Sequence, residues 1–289
     1  MPGFLYTSSE FAERFETPIM KKKDPAATAR LSRMTEPFIL RRKKTDVLKD
    51  LPEKLEEVHT SLMEDDQRKL YDAHVVHMKE ILSSSGNSGE DKMRVLAEIT
   101  RLRQLCCDPS LLFEDYKGSS TKRAACLELI QNAIDGGHRM LVFSQFTSML
   151  SLLAEDLKQA KIPFYTITGS TPKQERIRLV GEFNSREDVP VFLISLKAGG
   201  TGLNLIGADV VIHYDPWWNL AVQNQATDRA HRIGQTHQVT VIKLITAKTI
   251  EEKIMELQKA KRDLAGAIMD GQSNSLMSMT KEELLALLT

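Results

Sequence analysis

The stretch VFLISLKAGGTGLNL, residues 191–205, decides the fold. It opens with a continuous apolar run, which is typical of a strand buried on both faces of a parallel sheet. The run leads into a turn that contains Gly199, Gly200 and Gly202. Glycine lets the backbone approach a phosphate or sugar closely, and successive N–H groups can form an anion-binding nest. The alternative, that this loop is only a tight turn, stays open at this point.

Four similar runs accompany this stretch, and most are followed by a helical or turn-plus-helix segment. They lie at 140–144, 164–167, 210–214 and 239–245. Strands that alternate with helices predict right-handed crossovers and a three-layer α/β lobe with a mostly parallel sheet. In such sheets the active crevice lies beyond the carboxyl ends of the strands, so the residues after each strand are the candidates for function.

The rest of the chain is expected to be helical. Residues 1–82 are charged and read as helices around a Pro-containing extended piece at 36–42, and a Gly/Ser-rich loop follows at 83–89. Apolar residues recur at helical spacing from Val95 to Leu105, and Asp108-Pro109 ends that helix. Another helix is predicted from Thr249 to about residue 269.

These patterns predict three parts. A helical segment covers 1–118, the α/β lobe covers 119–271, and a Ser-rich linker with a short terminal helix covers 272–289. We find no internal repeat.

Composition limits the setting of the chain. Its 39 basic and 39 acidic residues cancel, so the total charge gives no indication of a nucleic-acid partner, and the basic clusters at 21–23 and 41–44 are compatible with a solvated surface. Cys106, Cys107 and Cys126 have neither a disulfide framework nor CxxC spacing, so we expect reduced core residues. No apolar run approaches the roughly 20 residues that span a bilayer, and we expect no secretory leader. A reducing compartment without a membrane partner is expected.

A second candidate segment is QATDRAHRIGQ, residues 225–235. Arg229 and Arg232 are three residues apart, which predicts that they share one helical face. The planar guanidinium group suits the charge on phosphate oxygens during phosphoryl transfer, whereas the alternative is surface salt bridging with Asp228. Trp217 and Trp218 follow a predicted strand and are either core residues or a platform for stacking nucleic-acid bases.

No Walker A loop occurs in the sequence. Gly202 and Gly207 have the required spacing, but Ala208 and Asp209 stand where Lys and Ser or Thr are needed. No other pair of glycines restores the motif.

The order of these motifs resembles the C-terminal ATPase lobe of the SWI/SNF family of superfamily-two helicase-like motors. DRAHRIGQ (228–235) matches the family's sixth motif and KAGGTGLNL (197–205) its fifth, while LVFSQF (141–146) resembles the fourth and 168–171 the segment after it. PFILRR (37–42) with LPEK (51–54) resembles the insertion that joins the lobes, and LRQLCCDP (102–109) the helix that follows. The likeness spans nearly the whole chain.

The resemblance implies two RecA-like lobes, with ATP in the cleft and double-stranded DNA across both, in a DNA-dependent ATPase that translocates along DNA. Arg229 and Arg232 would be catalytic and reach the ATP phosphates, with Arg232 the arginine finger. Gln225, Gly202 and Asn204 would line or order the nucleotide site. The residues that would face DNA are Ser144, Gln145, Thr168, Gly169, Ser170, Lys197, Gly199 and Trp218. Arg41 and Arg42 would brace the lobes.

Two departures from the family pattern matter. Leu220 stands where proline usually follows Trp-Trp-Asn, which predicts a looser turn. The Walker A loop and the acidic magnesium-binding motif, which belong to the family's first lobe, are missing, so the chain is expected to begin after that lobe. ATP and Mg²⁺ would then be held mainly by this partner lobe.

We therefore expect the chain alone to lack DNA-stimulated ATPase activity. The alternatives are a weak ATP-independent DNA-binding module and an interaction scaffold with vestigial motor surfaces. The expected location is the cytoplasm, associated with the nucleoid, in a bacterium or the nucleus in a eukaryote, and the short linker after Leu82 favours a microbial source.

Overall fold

The computed structural model of the 289-residue chain describes residues 4–22, 24–35, 37, 52–84, 89–199 and 202–265. The described residues up to 37 and residues 259–265 belong to one compact unit, and residues 52–258 belong to another. Each unit is described by itself. Residues 38–50, which include Arg41 and Arg42, and the predicted terminal helix lie outside the described residues.

The first unit begins with helices, as the sequence predicts. They are α1 (Ser8–Phe11), a π-helical turn (Ala12–Glu16), α2 (Thr17–Lys22) and α3 (Pro25–Thr35). Thr7 and Glu10 form a capping box, in which Thr7 N donates to Glu10 Oε2 at 3.0 Å and Glu10 N donates to Thr7 Oγ1 at 3.4 Å. Phe15 is buried and packs its ring near those of Phe11 and Tyr6.

The second unit is built on a six-stranded sheet in which every pairing is parallel. The strands are β1 (Lys54–Ser61), β2 (Met140–Ser144), β3 (Phe164–Ile167), β4 (Val191–Ser195), β5 (Val210–His213) and β6 (Val239–Thr246). Their order across the sheet is β1-β6-β5-β2-β4-β3. Three predicted strands agree with the structure residue for residue, and the other two differ by one residue at the carboxyl end. The predicted α/β fold with a parallel sheet is confirmed.

Helices cover the sheet and extend from it. They are α4 (Asp65–Ser84), α5 (Gly89–Cys107), α6 (Thr121–Asp135), α7 (Thr147–Gln159), α8 (Lys173–Ser185), α9 (Leu196–Gly199), α10 (Leu220–Thr227) and α11 (Ile250–Ala265). Of the loop predicted at 83–89, Ser83 and Ser84 belong to α4 and Gly89 begins α5, so the prediction is wrong for these three residues, and residues 85–88 lie outside the described ranges. Asp108 ends α5 as predicted, and its Oδ1 accepts a hydrogen bond from Ser110 N at 2.9 Å.

The strand β1 is absent from the sequence-based prediction, which made residues 1–82 largely helical. That prediction is wrong for Lys54–Ser61, which pairs in register with Val239–Thr246. The strand lies at the sheet edge and its side chains are mostly exposed, so no buried apolar pattern marks it. The sheet therefore includes residues well before the lobe boundary expected at 119.

Two apolar clusters occupy the two faces of the sheet. Along β2, Leu141 and Phe143 belong to one cluster, and Met140 and Val142 belong to the other. This double burial explains the continuous apolar strands. A third cluster joins α4 and α5 to the first turns of α11.

All three cysteines are buried and unbridged, as predicted. Burial raises the pKa of the Cys126 thiol to about 12, which keeps it protonated. Within the described ranges, none of the helices combines the length and apolar character needed to span a membrane.

Candidate functional site

Asp215 joins two loops at the carboxyl edge of the sheet. It follows β5, and its Oδ1 accepts hydrogen bonds from Ser144 Oγ at 2.6 Å and from Gln145 N at 3.0 Å. Ser144, predicted to face DNA, is only 1% exposed, so its hydroxyl positions Asp215 instead of reaching the surface. Gln145 is half-buried.

Arg103 contacts the same two loops from α5. Its Nη2 donates to Asp215 Oδ2 at 3.0 Å and to Pro216 O at 2.7 Å, and its Nη1 donates to Gln145 Oε1. Its guanidinium carbon lies 5.4, 5.5 and 5.9 Å from the ring centroids of Phe146, Trp217 and Trp218.

Sequence reasoning missed Arg103 as a functional candidate. The signal that could have found it is a charge on an apolar helical face, because Arg103 shares a face with Ile99 and Cys106, and both are buried.

The structure places both tryptophans against the apolar clusters, which supports the core alternative, while the stacking of nucleic-acid bases stays a prediction. Both are half-buried: Trp217 packs against the cluster that contains Phe143, and Trp218 packs against the cluster of α4, α5 and α11. The next residue, Asn219, caps α10 by accepting a hydrogen bond from Ala221 N at 3.0 Å. Leu220 therefore starts a capped helix, and the looser turn expected from the missing proline is not seen.

The turn after β3 presents hydroxyl groups at the same edge. Thr168 Oγ1 and Ser170 Oγ are 2.8 Å apart, and Gly169 and Ser170 are exposed. Arg176 of α8 holds the turn by donating through Nη2 to the carbonyls of Thr168 and Gly169, each at 3.0 Å.

Lys197 is exposed in α9, directly after β4. Because β4 lies between β2 and β3, Lys197 stands between Gln145 and the turn at Thr168 along the edge. The four strands β5, β2, β4 and β3 span about 14 Å at the usual strand spacing. We call the residues Gln145, Thr168, Ser170, Lys197 and Trp218 at this edge the polar row. Gly199 ends α9, and residues 200–201 lie outside the described ranges.

The arginine segment, residues 228–235, lies at the other end of the strands, where their amino ends meet. Arg229 O accepts a hydrogen bond from Leu205 N at 2.9 Å, just before β5, and His231 Nε2 lies 2.8 Å from Pro52 O, just before β1. Unlike the candidates that follow strands, this segment follows the helix α10, which ends at Thr227. Gln235 is buried and fastens it by donating to Ala208 O at 2.8 Å.

The sequence predicts that the two arginines share a helical face. That prediction is wrong, because α10 ends at Thr227 and a turn follows. Arg229 is 7% exposed, whereas Arg232 is exposed. Burial and the nearby charge of Arg232 lower the pKa of Arg229, and Asp228 opposes that shift. Arginine stays charged in proteins, so the two cations concentrate positive potential suited to an anion.

The remaining nucleotide candidates lie along the same part of the chain. Gly202 is exposed and has φ +68°, the left-handed conformation that favours glycine. Asn204 is exposed and precedes Leu205, which bonds to the Arg229 carbonyl. Gln225 is exposed on α10, one helical turn before Arg229.

Among the residues that the structure describes, no group of three or more His, Cys, Asp or Glu side chains could hold a metal ion.

Comparison with known proteins agrees with this architecture. Residues 121–234 match the helicase conserved C-terminal domain family, and residues 1–111 match the SNF2-related domain family. The Sulfolobus solfataricus SWI2/SNF2 ATPase C-terminal domain is 30% identical, with a TM-score of 0.66 over 81% of this chain and 98% of that one. The SWI2/SNF2 ATPase core of the same organism, solved in complex with dsDNA, is 33% identical, with a TM-score of 0.69 over 99% of this chain and 61% of that one.

The fold and motifs define a RecA-like lobe of the helicase-like class. The chain belongs to the SWI/SNF family, to the C-terminal region of its ATPases, and the resemblance seen in the sequence is confirmed. The putative ATP-dependent helicase/translocase YwqA of Bacillus subtilis is 38% identical over 99% of this chain. This chain spans 27% to 32% of the length of the first curated relatives that it matches.

Proposed function

We propose that this chain is the second, arginine-supplying lobe of an ATP-dependent double-stranded-DNA translocase. The observation that carries the proposal is the position of α10. Its capped start adjoins Trp218 in the polar row, and its end leads directly to Arg229 and Arg232. A helix of eight residues is about 12 Å long, so one short rigid element links the two candidate surfaces.

The polar row suits the backbone of a duplex. Hydroxyl and amide groups of Thr168, Ser170 and Gln145 can donate to phosphate oxygens, and Lys197 adds a positive charge. Contacts of this kind hold a duplex without reading its sequence. The affinity is then expected to fall as salt rises, because binding releases condensed counterions.

The arginine segment suits phosphate groups. ATP with Mg²⁺, when bound, supplies a transferable phosphoryl group. The exposed Arg232 would stabilise its negative charge as the arginine finger, while Arg229 adds positive potential from a buried position. Gly202, Asn204 and Gln225 would line the nucleotide side. We assign the grip on the phosphates and on Mg²⁺ to a first lobe outside these 289 residues, because the sequence contains no Walker A loop.

The proposal is tested by measuring ATP hydrolysis with and without duplex DNA. The chain alone is expected to be inactive. A longer protein that holds this chain together with a first lobe is expected to show DNA-stimulated hydrolysis, reduced at least about 10³-fold by Arg232→Ala. The matched control is Arg186→Ala, which removes another exposed arginine, paired with Asp188, and leaves the rate unchanged. Turnover by the chain alone that disappears with Arg232→Ala contradicts the proposal.

A second candidate is a DNA-binding module that does not use ATP. The polar row favours it, since the row needs no nucleotide to hold a duplex. In a protein with both lobes, a duplex affinity that is the same with and without ATP would support this candidate. An affinity that depends on the bound nucleotide, and loses that dependence with Arg232→Ala, would support the translocase.

A further inference from the structure

We propose that Arg103 is a positioning residue that holds Gln145, Trp217 and Trp218 in the arrangement that receives DNA. The inference deepens the proposed DNA-binding function and rests on it. Arg103 itself is 2% exposed, so it cannot contact a phosphate. Its effect on DNA must pass through the residues that it touches.

The contacts of Arg103 bridge two loops that are far apart in sequence. One terminal nitrogen donates to the side chain of Gln145 in the loop after β2. The other donates to Asp215 and to the Pro216 carbonyl in the loop after β5. The side-chain direction of Gln145 and the path of the backbone leading into Trp217 are therefore set by one planar group.

The ion pair with Asp215 fixes that group. The side chains of Arg103 and Asp215 are 2% and 0% exposed, so water does not screen their attraction. Asp215 is held in turn by the Ser144 hydroxyl and the Gln145 amide. Each member of this network thus limits the movement of the others.

The aromatic contacts explain why the group is an arginine. The guanidinium lies within 6 Å of the ring centroids of Phe146, Trp217 and Trp218, close enough for cation–π attraction. Lysine keeps the charge but lacks the planar fork that reaches three acceptors and stacks against rings. A lysine at this position is therefore expected to hold the loops poorly.

The inference can be tested by fluorescence, because Trp217 and Trp218 are the chain's two tryptophans. In the 289-residue chain, Arg103→Lys and Arg103→Gln are expected to shift the tryptophan emission to longer wavelength and to increase quenching by acrylamide. Affinity for a short fluorescein-labelled duplex of mixed sequence is expected to fall about tenfold, the size of one lost hydrogen bond to a charged phosphate oxygen. The slope of log affinity against log salt is expected to stay unchanged, because Gln145 is uncharged and no positively charged contact with phosphate is removed.

Two control variants separate positioning from other effects. Arg123 is another partly buried arginine, which forms ion pairs with Asp156 and Asp108. Arg123→Gln breaks these pairs and leaves both loops unchanged. It is expected to lower stability while emission and DNA affinity stay unchanged. Lys197→Ala removes an exposed charge from the polar row, and it is expected to lower the salt slope by about 0.9.

Asp215→Asn provides a second variant should the Arg103 variants fail to fold, since asparagine has nearly the same shape. It is expected to shift emission and affinity in the same direction by smaller amounts. Folded variants of Arg103 or Asp215 that keep the original emission and affinity overturn the inference. Variants that lose stability but keep the original emission and affinity overturn it as well. If the unchanged chain does not bind the duplex, the proposed function fails as well. If it binds and the variants bind equally, only the inference fails.

Discussion

Lys122 and Glu251 form an ion pair that solvent does not reach. The Lys122 Nζ lies 2.7 Å from each carboxylate oxygen of Glu251, and the two side chains are 1% and 0% exposed. Burial lowers the pKa of Lys122, but Glu251, together with Cys107 and Cys106, raises it above its ordinary value, so the ammonium group stays charged. Glu251 Oε2 also accepts a hydrogen bond from Thr246 N at 2.8 Å. The pair therefore ties α6 to the end of β6 and the start of α11.

We predict that Glu251→Gln lowers the free energy of unfolding by about 3–5 kcal/mol, because Lys122 is left as a buried charge without its partner. The matched control is Glu256→Gln in the same helix, where the carboxylate is 69% exposed and lies 3.7 Å from Lys253. Exposed pairs contribute less than about 1 kcal/mol, so this variant should unfold like the original chain. Urea titrations of the three proteins measure the difference, and equal losses for both variants would contradict the assignment.

We predict that His213 makes the stability of the folded chain sensitive to acid. Its Nε2 lies 2.9 Å from Thr227 Oγ1, and its ring stacks on Phe143. Burial first, and then the charge of Lys243, lower its pKa from 6.5 to about 3. The unfolded chain then binds one more proton between these values. The stabilisation is thus fully present above about pH 6.5 and is lost as the pH falls.

As the pH falls below 6.5, the loss of unfolding free energy from His213 alone should steepen towards about 1.4 kcal/mol per pH unit, which it reaches near pH 5, where the unfolded state is almost fully protonated. Glu56, whose pKa is lowered to about 2 by Lys243 and Lys54 against the opposing effect of burial, acts only at lower pH. His213→Gln should flatten the profile of unfolding free energy against pH. His59→Gln, at an exposed position of β1, should leave that profile steep. Parallel profiles for the original chain and His213→Gln would refute the prediction.

The buried strands could be predicted from the sequence because both of their faces are covered. Met140–Ser144 and Val191–Ser195 are continuous apolar runs, and their bounds agree with the prediction. The edge strand Lys54–Ser61 carries charged and mostly exposed side chains, so it lacks the continuous apolar run of the inner strands. Its place in the sheet depends on the distant β6, which local patterns do not contain.

The candidate site was predictable by residue type but not by placement. Motif order identified Arg229 and Arg232, whereas their separation into a buried and an exposed side chain depends on the helix ending at Thr227. Arg103 was missed because its acceptors lie in loops at 145 and 215–216. A contact of that range follows from the folded topology alone.

We predict that replacing Lys197 changes how steeply the affinity for DNA depends on salt. Replacing it with alanine should weaken binding of mixed-sequence duplexes uniformly and reduce the slope of log affinity against log salt by about 0.9, the effect of one lost phosphate contact. The control Lys158→Ala removes an exposed lysine from the last turn of α7, before β3 instead of after it. Its slope should not change. Equal slopes for the original chain and Lys197→Ala would remove Lys197 from the proposed DNA surface.

The two arginines should differ in their effect on stability. Arg232 is exposed, so Arg232→Ala should leave the melting temperature of the 289-residue chain unchanged. Arg229 is 7% exposed, so Arg229→Ala should open a space where its side chain is buried, although the hydrogen bond from Leu205 N to its backbone carbonyl is kept. A loss of about 1 kcal/mol lowers the melting temperature of a domain of this size by about 2–4 °C. Thermal unfolding followed by circular dichroism measures both variants, and Arg229→Lys, which keeps the charge and most of the volume, should recover part of the loss. If Arg232→Ala melts lower than Arg229→Ala, the exposed side chain supports the fold more than the buried one, and the division of roles between the two arginines is wrong.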